Sequence, residues 1–187
     1  MEKRINNYLD TISKCFGELK NESESIQNAV NLITLTLKSN KKLIFCGNGG
    51  SASDAQHLAA EFIGRYKENR SSLAAIAITT DTSAITAIGN DYGFDNIFSR
   101  QIEGIGVEGD TLIAISTSGN SVNILKAIKK AKKMNIKIIG LTGNKNKDFS
   151  NLVDICINVP SSETNHIQEM HIAVGQLICE LVEKEIF

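Results

Sequence analysis

Two clusters of residues carry the chemistry that this chain could do. The first is Ser116-Thr117-Ser118-Gly119-Asn120-Ser121, where four of six side chains are hydroxyls and one residue is glycine. It follows an apolar run and precedes a helical one, so hydroxyls, backbone N–H groups and a helix N-terminus converge. That combination suits a phosphate dianion. Helix capping would need one such hydroxyl; four exceed it. No GxxxxGK[ST] lysine accompanies either glycine-rich turn, which favours a monophosphate over a nucleotide. The second cluster follows the turn Gly47-Asn48-Gly49-Gly50. His57 and Glu61 lie four residues apart and so share one helix face. An imidazole and a carboxylate so placed can hold a metal ion or move a proton on a sugar, with Glu61 as base and His57, or a metal bound to it, as electrophile.

The elements that must position these clusters read as follows. Apolar residues recur at helical spacing over the first forty residues, through Ile5, Leu9, Ile12, Phe16 and Leu19 and then Ile26, Val30, Ile33 and Leu37. This pattern predicts two helices, with residues 1–40 forming an extension at an oligomer interface. Beyond Asn40, short unalternating apolar runs at 43–46, 73–78, 111–115, 136–141 and 153–159 predict five buried strands. Helices are expected over 53–66, 82–88, 94–103, 122–134 and 164–185. Strands of this kind separated by helices imply α/β architecture, a doubly wound five-stranded parallel sheet. In such sheets ligands bind at the carboxyl ends of the strands, where both clusters fall.

Bulk properties bound the rest. The 187 residues carry 20 basic and 21 acidic side chains, interspersed, for a net charge of −1. No basic block marks a nucleic-acid surface, and no apolar run approaches the ~20 residues of a membrane span. There is one proline and no low-complexity linker, so a single domain over 1–187 is expected. The four cysteines, Cys15, Cys46, Cys156 and Cys179, form no CxxC pair and read as reduced thiols. With no apolar leader in the first ten residues, the cytoplasm is the expected compartment.

The motifs CGNGGSASDAQHLAAEF, GRYKENR, AIGNDYGF, AISTSGNS and HIQEMHI together resemble the sugar isomerase (SIS) domain family, and within it the phosphoheptose isomerases. The resemblance covers essentially the whole chain. It implies the SIS fold and an aldose–ketose isomerase acting through an enediol. The substrate would be sedoheptulose 7-phosphate and the product D-glycero-D-manno-heptose 7-phosphate, for bacterial surface-glycan synthesis. It also implies a homotetramer with sites shared between subunits. Carried over by motif, Asn48, Gly49, Gly50 and Ser51, with Asn90 and Asp91, bind the sugar, and Ser116, Thr117, Ser118 and Ser121 hold the phosphate. His57, Glu61 and Gln168 match metal-site residues, for one Zn²⁺ per site, Gln168 also meets substrate, and Glu61 matches the base. One position departs: the histidine that serves this family as metal ligand and second acid/base is here Gln176, and the arginine of the RIQE motif is His166. A glutamine can ligate through its carbonyl oxygen but cannot exchange a proton at neutral pH. An alternative therefore stands beside the isomerase: a non-catalytic phosphosugar-binding module acting through protein partners, as in relatives associated with a replication initiator.

Overall fold

The computed structural model describes residues 1–144 and 147–187. Five parallel strands form one sheet: β1 (Leu43–Gly47), β2 (Ala75–Ala77), β3 (Thr111–Ile115), β4 (Lys137–Thr142) and β5 (Ile155–Asn158), in the order β2-β1-β3-β4-β5. Every residue of β1 and β3 is buried, which is why their sequences show no polar alternation. The pleat still sorts them. Leu43 and Phe45 face one core, with α2 (Ser23–Lys38), α3 (Gly50–Ile63) and α8 (Thr164–Ile186). Ile44 and Cys46 face the other, with α5 (Ile97–Ile105) and α6 (Val122–Lys133). The helices α1 (Glu2–Glu18), α4 (Thr82–Tyr92) and α7 (Lys147–Ser150) complete the chain-order set.

The connection from β1 runs to β2 on one side and that from β3 to β4 on the other, so a crevice opens between the carboxyl ends of β1 and β3. This is the topological switch point at which doubly wound sheets bind ligands. The register Gly47↔Ile115 sets the glycine turn and the hydroxyl loop side by side there.

The two amphipathic N-terminal helices have different fates. The apolar stripe of α2, through Ile26, Ala29, Val30 and Ile33, is buried in the chain's own core. No residue of α1 is buried, and Ile5, Leu9 and Phe16 stand 52%, 55% and 40% exposed.

Several boundaries differ from the sequence expectation. Helix α3 begins at Gly50 rather than at 53, because the turn passes straight into it: Ser51 N–H donates to Asn48 O and Ala52 N–H to Gly49 O, both at 3.0 Å. Strand β2 keeps only three residues of the expected 73–78, being an edge strand paired with β1 alone. The helix expected over 94–103 is split into a 3₁₀ turn, Phe94–Asn96, and α5. The short α7 was not expected. No disulfide forms among the described residues, and Cys15 and Cys156 are only half-buried.

Candidate active site

The glycine turn is shaped by two needs. Gly49 has φ +56°, a left-handed conformation that side chains disfavour. At Gly50 the constraint is space: a Cβ would lie 2.6–2.7 Å from all three amide atoms of Gln168. The Gln168 side chain of α8 therefore lies directly on the start of α3.

The hydroxyl loop between β3 and α6 is internally braced. Gly119 N–H donates to Ser116 Oγ at 3.1 Å, Ser116 Oγ meets Ser121 Oγ at 3.3 Å, and Asn120 N–H donates to Ser118 Oγ at 3.1 Å. Thr117 O accepts from Gly143 N–H at 3.1 Å, which ties the loop to the end of β4. Ser121 occupies the N-cap position of α6, yet its side chain makes no capping bond. The hydroxyls are thus not employed as helix caps. They lie at the positive end of a twelve-residue helix, the electrostatic setting for a dianion.

The loop and the turn meet through a residue that the sequence reading did not single out. Asn123, in the first turn of α6 and 3% exposed, exchanges two 2.9 Å hydrogen bonds with Asn48.

Beyond the turn, His57 Nε2 and Glu61 Oε1 lie 3.0 Å apart on α3, their side chains 47% and 24% exposed. One helical turn earlier, Asp54 has its Oδ2 buried without a hydrogen-bond partner; burial raises its carboxyl to about 6, with His57 pulling the other way. The backbone behind Glu61 is held by Arg70, which donates to Glu61 O at 2.8 Å and Phe62 O at 3.0 Å. Arg70 itself pairs at 2.6 Å with Glu183 of α8, both side chains 2% exposed. Glu183 also accepts from the backbone N–H groups of Tyr66, Lys67 and Glu68 at 2.8–3.1 Å. Burial alone would raise the Glu183 carboxyl, but these donors and Arg70 outweigh it and bring the group down to about 2.

Helix α8 abuts α3 closely, since a Cβ on Gly175 would meet Leu58 at 2.5 Å. Cys179 is pushed up to about 12 by burial and by the neighbouring Glu61 carboxylate. Gln176 lies one turn before Cys179 on α8 and is half-buried. His166 and His171 do not join the site. His166 is buried edge-on against the Tyr8 ring, 4.8 Å between centroids, and His171 is fully buried, its imidazole pushed down to about 4 chiefly by burial. Tyr8 of α1 donates to Glu169 and accepts from Asn165 Nδ2 at 3.0 Å, tying α1 to the start of α8.

The structure therefore brings together the glycine turn, Gln168 and the hydroxyl loop, and it pairs His57 with Glu61 farther along α3. It leaves Asn90 and Asp91 outside that group: they lie exposed at the end of α4, bonded to each other at 2.8 Å. A cleft of about 160 Å³ lies beside the glycine turn, bounded by Asn48, Gly49, Ala52, Thr79, Ile85 and Phe94 among others. Larger clefts of about 420 and 530 Å³ lie away from these groups, with mixed acidic, basic and amide linings. For a metal, His57 and Glu61 offer two donor atoms near enough to share one ion. Among the described residues no third His, Cys, Asp or Glu side chain joins them.

A switch-point crevice with a hydroxyl loop after one strand and a His–Glu helix after the next is the arrangement of a ligand-binding, doubly wound α/β domain. Comparison with known proteins sharpens the class. The SIS domain profile matches residues 7–143. A phosphoheptose isomerase of Akkermansia muciniphila is 50% identical over 187 residues, which cover 100% of this chain and 99% of the relative. The solved phosphoheptose isomerase GmhA from Neisseria gonorrhoeae superposes with a TM-score of 0.92 at 40% identity, covering 98% of each chain. One from Francisella tularensis gives 0.94 at 35% identity and 97% of each. The chain belongs to the SIS-domain family, in its phosphoheptose isomerase branch.

Proposed function

We propose that this protein interconverts sedoheptulose 7-phosphate and D-glycero-D-manno-heptose 7-phosphate. The observation that carries the reading is the phosphate-type loop set beside the glycine turn that opens α3, the helix bearing the His57–Glu61 pair, in a chain half identical to phosphoheptose isomerases. The 7-phosphate lies in the 116–121 loop and the reacting C1–C2 end extends over the glycine turn toward α3. Glu61 removes a proton from C1 of the ketose. The C–H electron pair forms the C1=C2 bond, the former carbonyl pair moves to O2, and O2 takes up a proton. The O1 hydroxyl then loses its proton, C1=O forms, and C2 recovers the proton from Glu61. His57, 3.0 Å from Glu61, is the adjacent titratable group for moving the hydroxyl proton. Gln176 binds a hydroxyl but takes no part in proton exchange. A divalent cation such as zinc, held by His57, Glu61, Gln168 and Gln176, would polarise the C2 carbonyl.

The same reading places the protein in the cytoplasm as a homotetramer. Its support is the exposed stripe of α1, which the chain leaves uncovered, and the half-exposed His57 and Glu61, which a neighbouring subunit would shield. Among the described residues no helix is long and apolar enough to cross a membrane.

Gln176 favours one second reading, a phosphosugar-binding module without turnover, acting through protein partners. Purified protein incubated with sedoheptulose 7-phosphate and followed by NMR should yield the aldose. Gln176→His should then raise the rate by about 10² or more, since supplying a general acid/base is worth ~10²–10⁴. Binding without product in either protein would favour the module.

A further inference from the structure

We propose that Asn123 is a positioning residue that clamps the sugar-binding turn to the phosphate loop through its paired amide with Asn48. This rests on reading the crevice as a sugar-phosphate site. The pairing is reciprocal: Asn48 Nδ2 donates to Asn123 Oδ1, and Asn123 Nδ2 donates to Asn48 Oδ1, each at 2.9 Å. Its orientation is dictated by a third bond, because Ile124 N–H donates to Asn123 Oδ1 at 2.9 Å. With that oxygen facing a backbone N–H, Asn123 can offer Asn48 only its NH₂ and a share of the same oxygen. Asn48 must then present its own oxygen and NH₂ in the matching order.

Two alternatives fit less well. A helix-capping asparagine needs one acceptor and no distant partner, and the N-cap position belongs to Ser121. A generic core residue at this 3% exposed position would be apolar, as Ile124, Ala127 and Ile128 are on the same helix. What the asparagine adds is a tie between segments 75 residues apart in sequence. Strand pairing joins β1 to β3 as far as Gly47↔Ile115. The amide pair continues that tie past the strand ends, into the two loops that hold opposite parts of one ligand.

Two consequences follow. Asn48 commits its carbonyl oxygen and one amide hydrogen to the clamp, so the turn's contribution to the sugar comes chiefly from the backbone of 48–50. The spacing between phosphate and reacting carbons is set by side chains that need not touch the substrate. An error of about 1 Å in that spacing is enough to cost on the order of 10² in rate.

The test measures two dissociation constants by calorimetry, for sedoheptulose 7-phosphate and for inorganic phosphate, in wild type, Asn48→Ala, Asn123→Ala and the double variant. Each single variant should weaken the sugar phosphate about tenfold or more while changing inorganic phosphate by less than about threefold. The double variant should be no worse than either single one within about threefold, because both remove the same pair. If phosphate and sugar phosphate weaken in parallel, Asn123 merely stabilises the loop and the proposal is overturned. Losses that multiply in the double variant, or no loss at all, overturn it as well. Should Asn123→Ala fail to fold, Asn123→Asp decides: it keeps the acceptor for Ile124 N–H but removes the donor to Asn48, and the same selective loss is expected. A wild-type protein that binds neither ligand would overturn the sugar-phosphate reading itself, and the clamp with it.

Discussion

The two halves of the crevice are built to different standards. On the β3 side, Ser116 is 4% exposed and Asn123 3%, and the loop's hydroxyls are braced by bonds of 3.1–3.3 Å. On the α3 side, His57 is 47% exposed and its partner Glu61 24%. The hydroxyl loop is braced by residues of its own chain. The reacting half is held firmly only from behind, by Arg70 and Glu183, and its front faces solvent. Phosphate binding needs a preset cradle of donors, whereas proton transfer from carbon also needs water kept away. The difference teaches that the loop's geometry is set within one chain, whereas the proposed proton transfer on α3 would need a cover that this chain does not itself supply.

The largest way to break this contrast is to remove the support behind Glu61. Glu183→Gln leaves Arg70 buried without its counter-charge and should cost about 3–5 kcal/mol of stability. Urea unfolding measures it. Because the folded-state Glu183 carboxyl lies at about 2, below its usual 4.5, its stabilising effect is complete above pH 4.5 and is lost as pH falls toward 2. The stability gap between wild type and Glu183→Gln should therefore close over that interval; a gap independent of pH would mean the ion pair is not its source. A smaller effect is expected on the braced side. Ser116→Ala removes the acceptor for Gly119 N–H, and a lost hydrogen bond of about 1 kcal/mol corresponds to roughly fivefold weaker binding of inorganic phosphate. No change there would show that the loop's internal bonds do not preset the cradle.

Much of this was legible in the residues. Unalternating runs such as 111–115 and 136–141 mark strands buried on both faces, and the 116–121 composition marks the phosphate side, since both signals are local. The pairing of His57 with Glu61 also follows from helical spacing alone. What escaped depends on the third dimension. Nothing local distinguishes Glu183 from the exposed Glu185 on the same helix; its burial follows from the 66–68 backbone folding over it. Asn123 reads as an ordinary first-turn residue until β1 and β3 become neighbours and place Asn48 opposite it. The α1 and α2 stripes look alike in sequence, yet only α2 has residues buried in this chain's own core.

The central claim is that Glu61 carries the proton above a separately built phosphate site. Wild type and Glu61→Gln, incubated with sedoheptulose 7-phosphate in D₂O, should be followed by proton NMR for deuterium entering at C1 and by phosphorus NMR for ligand binding. The account predicts that Glu61→Gln binds the phosphate as wild type does while deuterium entry falls about 10²–10⁴-fold. Deuterium entry at the wild-type rate in Glu61→Gln would contradict it.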